Sequence, residues 1–117
     1  MDVDRFLPLA PAMLQILLAL ADEDRHGYAI MQDVSQRTQG KVRLSPGTLY
    51  GNIKRMVEQD LIEELDERPV VGDDERRRYY RITRLGRQVA TAEVTRMSEL
   101  VAQARLLGLQ PGPAGGA

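Results

Sequence analysis

From Pro11 to Ala21 the chain is apolar at nearly every position, with Gln15 the one clear polar break. A helix that is apolar nearly all round is buried on more than one side. In a chain this small, the extra side is expected to meet a partner subunit, through Leu14, Leu17 and Leu18. After the polar turn Asp22–Arg25, a second helix is expected to start at His26-Gly27-Tyr28 and to end near Arg37, with Ala29, Ile30, Met31 and Val34 inward. Gly40 marks a turn in the linker that follows. A third helix opens at Ser45, an N-cap residue, with Pro46 at the first helical position, where a missing N–H costs nothing. Leu49, Ile53, Met56 and Val57 then fall on one stripe of period 3.6.

The pattern changes after Leu61. Leu61, Ile62 and Leu65 give an imperfect strand, and Glu67–Arg76 is a charged loop punctuated by Pro69 and Gly72. Arg77–Thr83 reads as a second strand, with Tyr80 and Ile82 on one face and Tyr79 and Arg81 on the other. Thr83 caps a last helix running to about Leu107, roughly 24 residues or about 36 Å long. Its distal apolar positions, Val94, Met97, Leu100, Val101 and Ala104, lie beyond what a three-helix domain covers. Left exposed, such a stripe is a liability, so it predicts a homodimer in which this helix packs on its mate and on the first helix. The end of the chain, Gln110–Ala117, has the composition of a disordered tail.

The order of elements predicts a mainly α fold with a small β-hairpin. Two helices joined by a short linker, the second one capped, make a helix-turn-helix. The hairpin after it makes a wing. The expected organisation is a winged helix-turn-helix domain over residues 1–83, a dimerisation helix over 84–109 and a tail over 110–117.

Composition narrows the function. Of 117 residues, 43% are hydrophobic, with one Phe and no Trp, so the core must be aliphatic. The absence of Cys removes disulfides, thiol nucleophiles and Cys-based metal sites, and one His makes no His-rich cluster. No cofactor motif is present. Asp73-Asp74-Glu75 is a carboxylate cluster, but it has no base, metal-ligand spacing or phosphate loop near it, and no enzyme is expected. The N-terminus lacks a basic lead before an apolar run, and Ala10–Ala21 is too short to span a bilayer. A soluble, cytoplasmic protein is therefore expected, with no membrane partner.

A net charge of −1 argues against a nucleic-acid partner, but the charges are segregated. Residues 37–55 carry Arg37, Lys41, Arg43, Lys54 and Arg55 and no acid; residues 58–67 carry Glu58, Asp60, Glu63, Glu64, Asp66 and Glu67 and no cation; residues 76–87 carry arginines 76, 77, 78, 81, 84 and 87 and no acid. Segregation gives local fields of one sign despite a near-neutral total. The acidic segment should point away from any DNA. On the third helix, the side opposite the apolar stripe carries Gly47, Thr48, Gly51, Lys54 and Arg55, with Asn52 on its flank. Small residues permit close approach, cations meet phosphates, and Thr, Asn, Arg and Lys reach base edges in a major groove. Taken alone, the same pattern is that of an ordinary amphipathic surface helix. Tyr28 offers a hydroxyl where a helix N-terminus favours anions, and equally fits a packed aromatic with a wet hydroxyl. Arg76, Arg77 and Arg78, on the return of the wing, are placed to contact phosphates or a minor groove.

Leu14–Leu20, His26-Gly27-Tyr28-Ala29-Ile30, Leu44-Ser-Pro-Gly-Thr-Leu-Tyr50, Lys54-Arg55-Met56, Asp60-Leu61-Ile62 and Arg78-Tyr-Tyr-Arg-Ile-Thr-Arg-Leu-Gly86, in this order, resemble the PadR family of bacterial transcriptional regulators. The resemblance covers about residues 7–107. It implies a homodimeric winged-helix repressor that binds a dyad-symmetric operator in double-stranded DNA and is often released by a small effector. It implies that the helix holding Thr48–Arg55 reads the major groove, while Tyr28 and Tyr50 lie near the backbone or brace the helices. The DNA-contact candidates are then Tyr28, Ser45, Thr48, Tyr50, Asn52, Lys54, Arg55, Arg76, Arg77 and Arg78. Gly51-Asn52 departs from the family pattern, and the lack of Trp excludes effector binding between tryptophans; a small apolar effector would meet aliphatics and Met instead. The alternative is a winged helix that binds only protein, through the acids of 58–67 and the long helix.

Overall fold

The computed structural model describes residues 2–66 and 77–112. A short 3-10 turn, Val3–Phe6, leads into α1 (Pro11–Asp22). Next come β1 (Arg25–His26), α2 (Gly27–Arg37), α3 (Pro46–Glu58), β2 (Ile62–Glu64), β3 (Tyr79–Ile82) and α4 (Arg84–Leu106). The fold is mainly α with a small antiparallel sheet, the winged-helix layout expected from the order of elements.

α1 is the centre of the domain. It packs against α2, α3, α4 and β3, and these neighbours account for its apolarity on all sides. Leu17 is fully buried and Leu14 is 7% exposed within the single chain. Neither reaches a surface, so the expectation that both meet a partner subunit is corrected: the protomer itself covers them. Only Leu18 of the three is part-exposed, on the side that faces α4.

The helix-turn-helix forms by the local chemistry its sequence carries. The α2 N-terminus is capped by His26, whose Nδ1 accepts the Ala29 N–H at 3.1 Å. At its other end Gly40 takes φ +78° and donates its N–H to the Ser35 carbonyl at 2.7 Å, which turns the chain as only a residue tolerant of positive φ does readily. Thr38 Oγ1 donates to the Val34 carbonyl and accepts the Val42 N–H, tying the linker down. Ser45 Oγ accepts the Thr48 N–H at 3.2 Å, and Leu49, Ile53 and Met56 face the core, as their spacing predicts.

The sheet has three strands in the order β1-β3-β2, not the two of a simple hairpin. β1 is two polar residues long and carries no alternation to read; it exists because β3 offers it an edge, pairing Arg25 with Tyr80 and His26 with Tyr79. This extra strand explains a second departure. Tyr79 was expected on the face opposite Tyr80, with Arg81; unlike Arg81 it is buried, with the His26 ring standing edge-on to it at 5.2 Å. Arg25 fastens the turn before β1: it donates to the Ala19 carbonyl and lies 2.8 Å from Asp22 and 3.3 Å from Asp33.

α4 is capped by Thr83, whose Oγ1 accepts the Gly86 N–H. Gly86 lies against the Leu61 carbonyl, so closely that a Cβ there would collide with backbone. Val89, Ala90 and Glu93 are buried; beyond them Val94, Met97, Leu100 and Val101 are 36–49% exposed. Glu93 was not foreseen as a core residue. Its carboxylate accepts the Leu9 N–H at 2.8 Å and the guanidinium of Arg96, and so anchors the chain before α1 to α4. No helix among the described residues is long and apolar enough to cross a membrane.

Candidate nucleic-acid interface

The outward side of α3 presents the residue types its sequence placed there. Ser45, Gly47, Thr48, Tyr50, Gly51, Lys54 and Arg55 are exposed and Asn52 is half-buried. Ser45 and Thr48 are bonded to each other, hydroxyl to hydroxyl at 3.0 Å, in addition to the cap. Asn52 donates one amide N–H to the Thr48 carbonyl at 2.8 Å, which leaves its second N–H and its carbonyl oxygen for outside partners. Lys41, Lys54 and Arg55 make no ion pair among the described residues, so their charge is not neutralised locally. A Cβ added at Gly47 or Gly51 would meet nothing within 4 Å. Neither glycine is demanded by packing within the chain; what each contributes is a bare backbone on the outer surface.

Beside this face lies an open cavity of about 530 Å³, lined by His26, Gly27, Tyr28, Tyr50, Arg77, Arg78 and Tyr80. It brings together three candidates from separate stretches of the chain: Tyr28 at the start of α2, Tyr50 on α3, and the arginines entering β3. Tyr28 and Tyr50 are 54% and 49% exposed. Burial first, then the Glu64 carboxylate, push the Tyr80 phenol above its ordinary range, so it stays a protonated hydroxyl. The two arginines differ. Arg78 pairs with Glu64 at 3.2 Å, while Arg77 Nη1 stands 3.1 Å from His26 Nε2. Arg76 and the acidic triplet Asp73-Asp74-Glu75 lie outside the described residues.

The acids of residues 58–67 were expected to point away from any DNA; the β2–β3 register sets one of them, Glu64, opposite Tyr80, which lines this cavity. Arg81 is likewise drawn off, to Asp24 at 2.8 Å, a bond that raises its already high pKa. His26 and Tyr80 also line the cavity without having been singled out; His26 escaped because histidine is not among the common N-cap residues.

A second surface runs along α4. A groove of about 330 Å³ between α1 and α4 is lined by Leu18, Ala21, Ile82, Ala90 and Val94, with Arg87, Thr91 and Thr95 at its sides. The exposed Met97, Leu100 and Val101 continue it along the helix, and Ala104 is half-buried there.

A family model described as the transcriptional regulator PadR-like family matches residues 16–92, from within α1 to the buried part of α4. Transcriptional regulator Rv3488 of Mycobacterium tuberculosis is 36% identical over 106 residues, spanning 91% of this chain and 92% of that protein. Transcriptional regulator YqjI of Escherichia coli is 35% identical over 63 residues, 54% of this chain but 30% of the longer relative. Among solved structures, a PadR family transcription regulator from Clostridium difficile superposes with a TM-score of 0.70 at 24% identity, covering 84% of this chain and 98% of that one. A PadR-like transcription factor from Bacteroides fragilis gives 0.66 at 22% identity, covering 81% and 87%. These structures share the fold, and the sequence matches share the family: the chain belongs to the PadR-like family of transcriptional regulators.

Proposed function

We propose that this protein is a repressor that binds a dyad-symmetric operator as a homodimer, laying α3 in the major groove. The observation that carries the reading is the outer face of α3. Thr48, Asn52, Lys54 and Arg55 stand on a helix whose glycines leave the backbone bare, and the cations lack ion-pair partners among the described residues. Lys54 and Arg55 suit phosphates and guanine edges, Asn52 an adenine edge, and Thr48 either. The cavity with Tyr28, Tyr50, Arg77 and Arg78 adjoins this face and suits the flanking backbone. The apolar face of α4 supports pairing of two copies, which would present two reading helices to two half-sites about 34–36 Å apart.

The test is gel retardation of a DNA fragment bearing the protein's own promoter. Retardation at low salt is expected, with affinity falling steeply as salt rises. Lys54→Ala or Arg55→Ala should weaken binding and lower the salt slope by about 1.8, twice the roughly 0.9 per phosphate contact, because each copy loses one. Transcription from that promoter should rise when the protein is removed. If neither the promoter nor any fragment of the genome is retarded at low salt, the reading fails.

A further inference from the structure

Five cations and no acid lie between Arg37 and Arg55, and the structure divides them. Arg37 turns back onto its own domain, paired with Asp33 at 2.7 Å and bonded to Gln15 at 3.2 Å. Lys54 and Arg55 stand on the outer face of α3. That leaves Lys41 and Arg43 in the α2–α3 linker. Both are exposed, and neither pairs with a carboxylate among the described residues. Arg43 reaches only the Gly40 carbonyl there, at 3.4 Å. The linker that carries them is tied down. Gln39 and Gly40 take φ of 55° and 78°, a left-handed pair that strains the glutamine and turns the chain after α2. Lys41 donates its N–H to the Thr38 carbonyl at 3.0 Å, and Val42 donates its own to Thr38 Oγ1 at 3.0 Å. Val42 and Leu44 are half-buried against the core, so Lys41, Arg43 and Ser45 alternate with them on the exposed side. That side runs on into the exposed Thr48 of α3. Cations on a backbone already held in place meet an array of anions at a lower entropic cost.

We infer that Lys41 and Arg43 form a second phosphate anchor for the DNA backbone, separate from the cavity that Tyr28 and Tyr50 line. The inference rests on the DNA-binding reading above and adds two residues to it. The cavity takes in Gly27 and Tyr28 at the start of α2, and the linker leaves the end of the same helix. α2 has 11 residues and is about 16 Å long. Anchors that far apart bracket a major groove about 12 Å wide and fix the angle at which α3 enters it. Being phosphate contacts, Lys41 and Arg43 serve register and affinity and carry no preference among sequences.

Retardation of promoter DNA by the full chain, read across a salt series, tests the anchor. Lys41→Gln and Arg43→Gln should melt as wild type does, because both side chains are exposed. Each should weaken binding about 10-fold and lower the salt slope by about 1.8, two contacts per dimer at roughly 0.9 each. The ratio of affinities for promoter and unrelated DNA should not move, since a phosphate contact is lost from both. Lys41→Arg and Arg43→Lys keep the charge and should keep the slope. Arg5→Gln makes the same charge change on the N-terminal turn that packs on α4, and should bind as wild type. Ethylation of single operator phosphates should block wild type at two groups of positions per half-site, and only one group should still matter to the double variant Lys41→Gln/Arg43→Gln. A double variant with wild-type affinity and slope would overturn the anchor, and Lys54→Ala still weakening binding would show the DNA reading intact. A weaker double variant with an unchanged slope would overturn it equally, because no phosphate contact was lost. If wild type retards no DNA, the reading beneath the anchor fails and the anchor with it.

Discussion

Tyr50 on α3 lies over Gly27 at the start of α2, so closely that any side chain on Gly27 would occupy the space of the phenol ring. This contact joins the two helices of the helix-turn-helix at the rim of the cavity. Tyr50 is half-exposed and its ring can swing out, so Gly27→Ala should keep the fold, with a melting free energy within about 1 kcal/mol of wild type. Its affinity for promoter DNA should nonetheless drop, about 10-fold, because a displaced tyrosine blocks the phosphate approach. An unchanged affinity would mean that Tyr50 stands clear of the DNA.

Gly51 offers the reverse experiment. It is exposed in the middle of α3 with open space around it. Gly51→Ala should therefore stabilise the protein by about 0.5–1 kcal/mol through helix propensity. The added methyl faces outward, so the more stable variant should bind its operator less well. Stability is read from denaturant titration and affinity from retardation; a variant more stable and equally tight would place Gly51 outside the groove.

Glu64 holds Arg78 at the edge of the cavity and competes there with any phosphate. Both side chains are well exposed, so the pair itself contributes little to folding. Glu64→Gln should tighten DNA binding by about 3-fold and leave the melting temperature nearly unchanged. Glu63→Gln, the same charge change on the neighbour paired in register with Arg81, serves as the control and should have the smaller effect.

Glu93 supplies a pH signature. The hydrogen bond from Arg96, with the Leu9 N–H adding to it, holds its carboxyl below the ordinary range against the opposing effect of burial. A carboxyl depressed in the folded state contributes stability above its unfolded pKa, about 4.3, and that contribution disappears as pH falls through the folded value. The stability gap between wild type and Glu93→Gln should thus be full at pH 7 and close on acidification below about pH 4. Glu93→Leu, which leaves the buried Leu9 N–H without its acceptor, should cost about 1–3 kcal/mol. A gap that persists unchanged to pH 3 would count against this assignment.

The exposed apolar face of α4 is where the proposed pairing of two copies can be tested. Leu100→Lys places a charge in the apolar stretch beyond Val94. Sedimentation at micromolar concentration should give a dimer for wild type and a monomer for the variant, a weakening of roughly 100-fold or more. A wild-type monomer at that concentration would refute the paired assembly.

The sequence made α3 and α4 legible because each carried both a period and a cap: Ser45 and Thr83 bond the N–H groups that their positions imply. The outer face of α3 was legible for the same reason, since a 3.6-residue period assigns inside and outside together. What stayed hidden was set by pairing across long stretches of chain. β1 has no pattern of its own, and without it neither the burial of Tyr79 nor the posture of His26 could be read. Glu64 turns toward the arginines because of a register that alternation alone does not fix. Leu14 and Leu17 went to the wrong partner because an all-apolar helix records how much is covered and not by which chain. Glu93 in a helical run reads as solvated, and only the Leu9 N–H, 84 residues away, says otherwise.

That last bond has a reach beyond stability. α1 touches α3 on one side and α4 on the other, Glu93 buckles the strap before α1 to α4, and Gly86 seats the root of α4 on the Leu61 carbonyl. A protomer braced at these points behaves as one rigid jaw. Two such jaws hinged along α4 would work as a caliper whose gap is preset, so an operator lengthened by a single base pair between its half-sites should be gripped poorly. Anything that wedges the α1–α4 groove would change the gauge without touching the teeth.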